Sequence, residues 1–119
     1  MFETALRTIV DETAGGIAAV LMGYDGIAVE QYFQPREGVE LHLIAVEYAN
    51  VLKEIKKTVE ILNIGRMEEV SIKTSNFFVV IYTLTDEYFV ALTLERDGNF
   101  GKGRYLLRRE APGLREGLV

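Results

Sequence analysis

Cysteine is absent from all 119 residues, which excludes disulfide frameworks and thiolate metal sites at the outset. Histidine is nearly absent too. The single one, His42, has no second imidazole and no convergent carboxylates with which to hold a metal. It also belongs to no Ser/His/Asp set, and no G-x-S-x-G elbow exists to carry a nucleophile. No Gly-Lys-Ser/Thr step places a lysine and a magnesium-binding hydroxyl beneath a phosphate. Long apolar runs are missing as well: FFVVIYTL, residues 77–84, falls far short of the ~20 residues that cross a bilayer. The opening MFETALRTIVDET is charged and amphipathic, unlike a secretory leader. These absences point to a cytoplasmic protein with no cofactor, no metal and no membrane insertion, one that acts through its surfaces.

The charge argues in the same direction. A net charge of −5 speaks against nucleic acid as the partner. Its distribution is uneven, however. Residues 1–95 hold seven Lys/Arg against fifteen Asp/Glu, and residues 96–119 hold six against three. The basic end is either a patch for an acidic partner or the solvated face of a terminal helix.

What is present is enough for one domain spanning residues 1–119, with 49% apolar residues to fill a core. Phe2, Ala5, Leu6, Ile9 and Val10 recur at helical spacing, and Gly15-Gly16 stops that first helix. Ile17 to Met22 is apolar throughout, as in a strand covered on both faces. Asp25-Gly26 supplies a two-residue hairpin turn, and Ile27 to Phe33 then alternates as a second strand. The glycines of GGIAAVLMGYDGIAVEQYF therefore shape a hairpin, not a phosphate cradle. GNFGKGR, residues 98–104, leads into a helix and is the better phosphate candidate, but it lacks the hydroxyl. A long helix is expected from Leu41 to Asn63, terminated at Gly65, followed by strands over Val70–Ser75, Phe77–Leu84 and Tyr88–Leu94. A last helix runs from about Gly103 to Leu118, interrupted near Pro112. The resulting class is α+β: a five-stranded antiparallel sheet with helices on both faces, in the order α-β-β-α-β-β-β-α.

Two surfaces are left over. EVSIKTS, residues 69–75, alternates Val70, Ile72 and Thr74 against Ser71, Lys73 and Ser75, as an edge strand does, with a single lysine to discourage pairing. It is either an ordinary solvated edge or a seam for a second copy of the chain. In the long helix, Leu41, Ile44, Ala45, Tyr48, Val51, Leu52, Ile55, Val59 and Leu62 form the stripe expected to pack on the sheet. Leu43, Val46 and Ala49 lie off that stripe. Leu43 and Val46 beside a bare edge favour a symmetric homodimer in which helix meets helix and strand meets strand.

The element order, GGIAAVLMGYDGIAVEQ and the closing FGKGRYLLRREAPGLREGL together resemble the Roadblock family, the dynein-light-chain relatives with bacterial MglB-like members. The resemblance spans nearly the whole chain. It implies a fold similar to longin and profilin domains, and a homodimer joined through the middle strand and the long helix, here Leu43, Val46, Ser71, Ile72, Lys73 and Thr74. It further implies a small Ras-like GTPase (MglA-like) as partner, regulated without a catalytic arginine from the regulator. By location, Val46, Ala49, Asn50, Lys53 and Lys57 would touch that GTPase. A passive scaffold or adaptor with the same dimer is the alternative. A PAS-like small-ligand sensor, which would need an interior pocket, is the third reading.

Overall fold

A computed structural model of the chain describes residues 1–34 and 41–119, with the side chains of residues 41–45 outside the description. Leu43, His42, Leu41, Ile44 and Ala45 are therefore placed only by their backbone. Helix α1 covers Phe2–Asp11, followed by strands β1 (Gly16–Gly23) and β2 (Ala28–Phe33). Helix α2 covers Leu41–Leu62, strands β3, β4 and β5 cover Glu69–Lys73, Phe77–Thr83 and Tyr88–Glu95, and helix α3 covers Phe100–Gly117. All five strands form one sheet in the order β2-β1-β5-β4-β3, and every pairing is antiparallel. The expected class and element order are those observed.

Burial follows from the apolar patterns. In β1, β4 and β5 both faces are covered, so their side chains divide between two cores. On one face Leu6, Ile9 and Val10 of α1 and Leu106, Leu107 and Leu114 of α3 pack on Leu21, Val80, Val90 and Leu92. On the other face Ala49 and Leu52 of α2 meet Met22, Tyr24, Val79, Ile81 and Phe89. The sheet thus separates α2 from the α1/α3 pair. At the junction of α1 and β1 a Cβ on Gly16 would sit 2.4 Å from the Val10 carbonyl oxygen, so the helix enters the sheet as closely as it does only because no side chain intervenes.

Three expectations are corrected. The β1–β2 connection is a three-residue loop: Gly26 donates to the Gly23 carbonyl, Gly23 donates to that of Ile27, and Gly26 takes a φ of +87°. This is a type I turn closed by a left-handed glycine. Asp25 steadies it by accepting from the Ile27 N–H at 3.0 Å. Second, α3 starts at Phe100 and runs unbroken through Pro112, whose ring lies on the exposed side. The proline removes one N–H on a face where water reaches the orphaned carbonyl, while Leu107, Ala111 and Leu114 hold the buried face in register. Third, Val51 (51% exposed) and Leu62 (59%) are not in the packed stripe of α2. The helix is rotated so that Ala49 and Leu52 point at the sheet. Asn63 (φ +53°) and Gly65 (φ +109°) then end it in left-handed conformations.

Candidate interaction surfaces

β3 is one of the sheet's two margins, bonded to β4 alone, with β2 at the other. Its hydrogen-bond phase follows from two contacts: Thr74 donates to the Phe77 carbonyl and Thr83 donates to the Glu68 carbonyl. Antiparallel ladders alternate, so the backbone groups of Glu68, Val70, Ile72 and Thr74 point at β4. Those of Glu69, Ser71 and Lys73 point outward. The side chains alternate the other way. Val70 and Ile72 are half-buried against the α2 core, whereas Ser71 and Lys73 are exposed, and Glu69 reaches α3, where it accepts from Arg104 Nε at 2.9 Å. Thr74 closes the β3–β4 turn by accepting from Asn76 and Phe77 N–H. Of the four edge residues named from the sequence, Ser71 and Lys73 thus offer free backbone groups, and Ile72 and Thr74 do not.

Asn50, Lys53 and Lys57, all exposed and one to two turns apart, share one flank of α2 with Val46. Val46 is half-buried on the flank next to Gly26, from whose notional Cβ its Cγ1 is 3.8 Å away. Ala49 leaves the candidate surface: it is 1% exposed and packs beneath the helix. Its burial is not legible in the sequence, because alanine adds so little to an apolar stripe that the helix rotation cannot be read from it. Leu43 lies outside the described side chains. The exposed apolar residues that sequence reasoning assigned to the core, Val51 and Leu62, sit on the flank of α2 turned away from Val46.

What fixes α2 over the sheet is a cluster at the hairpin tips. Lys56 Nζ donates to the Asp86 carbonyl at 2.6 Å and lies 4.8 Å over the Tyr24 ring. Tyr24 is 8% exposed, and its ring meets Phe89 at 5.3 Å. Burial raises the Tyr24 pKa above 10.0, the Thr83 hydrogen bond opposes the shift, and Asp86 adds to it. Beside this cluster runs an open cleft of about 500 Å³, lined by Lys56, Glu60, Arg66, Glu68, Tyr82 and Arg115 among others. Its charges alternate in sign, and Arg115 Nε is committed to the Leu84 carbonyl at 2.7 Å. The glycine loop before α3 is closed as well: Asn99 caps the helix by accepting from the Lys102 N–H at 3.1 Å. Among the described residues no group of three or more His, Asp or Glu is placed to hold a metal, and no helix is long and apolar enough to cross a membrane.

This architecture recurs among solved structures. MglC from Myxococcus xanthus is 38% identical, with 98% of each chain covered and a TM-score of 0.71. The Roadblock/LC7 domain from Streptomyces avermitilis is 13% identical, over 97% of this chain and 95% of that one, at a TM-score of 0.84. The gliding protein MglB from Thermus thermophilus is 15% identical, over 96% of this chain and 85% of that one, also at 0.84. The last two, at such identities, establish the fold. No protein-family model matches the chain, and no curated protein matches it significantly.

Proposed function

Because the chain belongs to the Roadblock/LC7 family together with MglC, we propose that it is a homodimeric regulator of a small Ras-like GTPase (MglA-like), acting through its surfaces in a gliding or polarity system. One pairing of features carries the reading: β3 leaves its outer edge unpaired, and α2 leaves an apolar flank at Val51 and Leu62 exposed. The outward N–H and C=O groups of Ser71 and Lys73 suit pairing with the same strand of a second copy. Val51 and Leu62, half or more exposed, would be covered by the twin helix. Fully burying such a side chain is worth roughly 1.5–3 kcal/mol, and a twofold axis counts each contact twice. Two copies of α2 joined along Val51 and Leu62 then carry Asn50, Lys53 and Lys57 on the opposite flank of each helix, so that each copy presents its own basic strip to a partner.

The regulator contributes no catalytic group in this reading. It docks the GTPase and positions the partner's own catalytic loop. Phosphate release by a Ras-like GTPase, followed with and without this protein, tests it. Acceleration that is lost in Lys53→Glu/Lys57→Glu, with sedimentation showing a dimer, is the expected result. Binding by a dimer without acceleration would assign a scaffold instead. A monomer at tens of micromolar would remove the foundation of both.

A further inference from the structure

The face of the sheet opposite α2 carries a surface of different character. Helix α3 holds five Lys/Arg against two Glu, whereas the rest of the chain holds eight against sixteen, so a +3 helix is mounted on a −8 body. On the outer ridge of α3, Tyr105 (50% exposed) and Pro112 stand two turns apart, with Arg108 between them. Lys102 and Arg109 flank the tyrosine, each with its charge 5.9 Å from the ring centre. Some of this charge is used. Arg104 pairs with Glu69, and Arg109 Nε pairs with Glu110 at 3.0 Å, with Glu12 near enough to act on it as well. Lys102 and Arg108 have no ion pair among the described residues.

We propose that this ridge is a docking strip for a short acidic segment of a partner protein, one carrying apolar side chains among its carboxylates. A half-exposed tyrosine between two cations offers apolar contact and positive charge within one turn, which such a segment matches. The length of the site decides against larger polyanions. Eighteen helical residues span ~27 Å, and at physiological salt charges are felt over only ~8 Å. A ligand confined to the helix therefore meets positive charge, while a duplex or a bilayer extending past it meets the acidic body. Because the sheet separates α3 from α2, the strip stays open while α2 is occupied. The protein can then hold two partners at once.

The test is fluorescence anisotropy with a labelled peptide of glutamates interspersed with leucine and phenylalanine, beside its glutamine counterpart. The acidic peptide should bind, and added salt should weaken it. Lys102→Glu/Arg108→Glu should weaken it roughly tenfold, the sum of several exposed charge pairs turned from attraction to repulsion. Arg108→Gln should weaken it less, and Lys53→Glu on α2 not at all, with unchanged thermal melts confirming that each variant folds. Equal binding of the glutamine peptide overturns the proposal, as does equal loss in Lys53→Glu. Tighter binding of single-stranded DNA or phosphatidylserine vesicles would reassign the strip to those polyanions. Self-association abolished by Arg108→Glu would reassign it to a second copy of the chain.

Discussion

The ammonium of Lys56 lies 4.8 Å above the ring of Tyr24, on a side chain that is only 25% exposed. The same nitrogen holds the Asp86 carbonyl, so one residue of α2 bridges the β1–β2 and β4–β5 turns. That bridge acts with the packing of Ala49 and Leu52 to hold the rotation of the helix, and with it the direction of Asn50, Lys53 and Lys57. Lys56→Met keeps the apolar stem and deletes the charge. It should cost about 1–2 kcal/mol, read as a fall of several degrees in melting temperature. An unchanged melt would show that packing by Ala49 and Leu52 alone orients the helix.

Tyrosine ionisation gives a second expectation. Desolvation raises the pKa of both Tyr24 and Tyr48 above 10.0 in the folded protein. Each therefore favours the native state fully below pH 10, and that contribution is lost as pH climbs from about 10 through the folded value. Tyr24→Phe removes one such group at the expense of a long hydroxyl contact to Thr83 (3.4 Å). Urea midpoints of the wild type should fall between pH 9 and pH 11, and those of Tyr24→Phe should fall less. Parallel declines in the two proteins would refute the assignment.

Much of this fold was legible because its strands announce themselves. Ile17–Met22 and Phe77–Leu84 are apolar on both faces, which only interior strands tolerate, and both proved interior. β3 alternates and proved an edge. What stayed hidden was rotational. The stripe of α2 spans so many apolar positions that it fits several rotations, and the one observed is held by Ala49 and Leu52 on the sheet together with Lys56's contacts to turns distant in sequence. The unbroken course of α3 past Pro112 was hidden for a related reason, since a proline's effect depends on which face its missing N–H occupies.

The hydrogen-bond phase of β3 makes the proposed dimer seam separable from the fold. Ser71→Pro deletes an N–H that points away from β4, so the β3–β4 ladder keeps all its bonds. Sedimentation velocity should show a dimer for the wild type and a monomer for the variant. Circular dichroism at low concentration should be unchanged. Ile72→Pro, which removes an inward N–H, should unfold the margin itself. Dimerisation surviving Ser71→Pro would move the interface off this edge.

Two glycines make a matched pair. A methyl at Gly16 would meet the Val10 oxygen at 2.4 Å and the Thr13 oxygen at 3.0 Å, both backbone atoms at the end of α1. Gly16→Ala must push helix and strand apart, and should cost about 2–3 kcal/mol. A methyl at Gly113 meets nothing within 4 Å. Gly113→Ala in α3 should stabilise by about 0.5–1 kcal/mol, through lower chain entropy in the unfolded state and better helix propensity. Chemical denaturation of the two variants should move in opposite directions. A tolerated Gly16→Ala would mean that α1 docks more loosely than this contact requires.

Pro112 lies in the interior of an 18-residue helix that nonetheless stays continuous, so its cost is borne by contacts elsewhere. Leu106, Leu107 and Leu114, each at most 2% exposed, clamp α3 on both sides of it. Pro112→Ala restores an N–H to the helix and relieves the ring's crowding of the preceding turn, worth about 1–3 kcal/mol against the propensity difference. The melting temperature should rise by several degrees. The same change flattens the outer ridge beside Arg108, so stability gained together with weaker binding of the acidic peptide is the joint expectation. A stabilised variant that binds the peptide unchanged would confine the docking contact to Tyr105 and the basic residues around it.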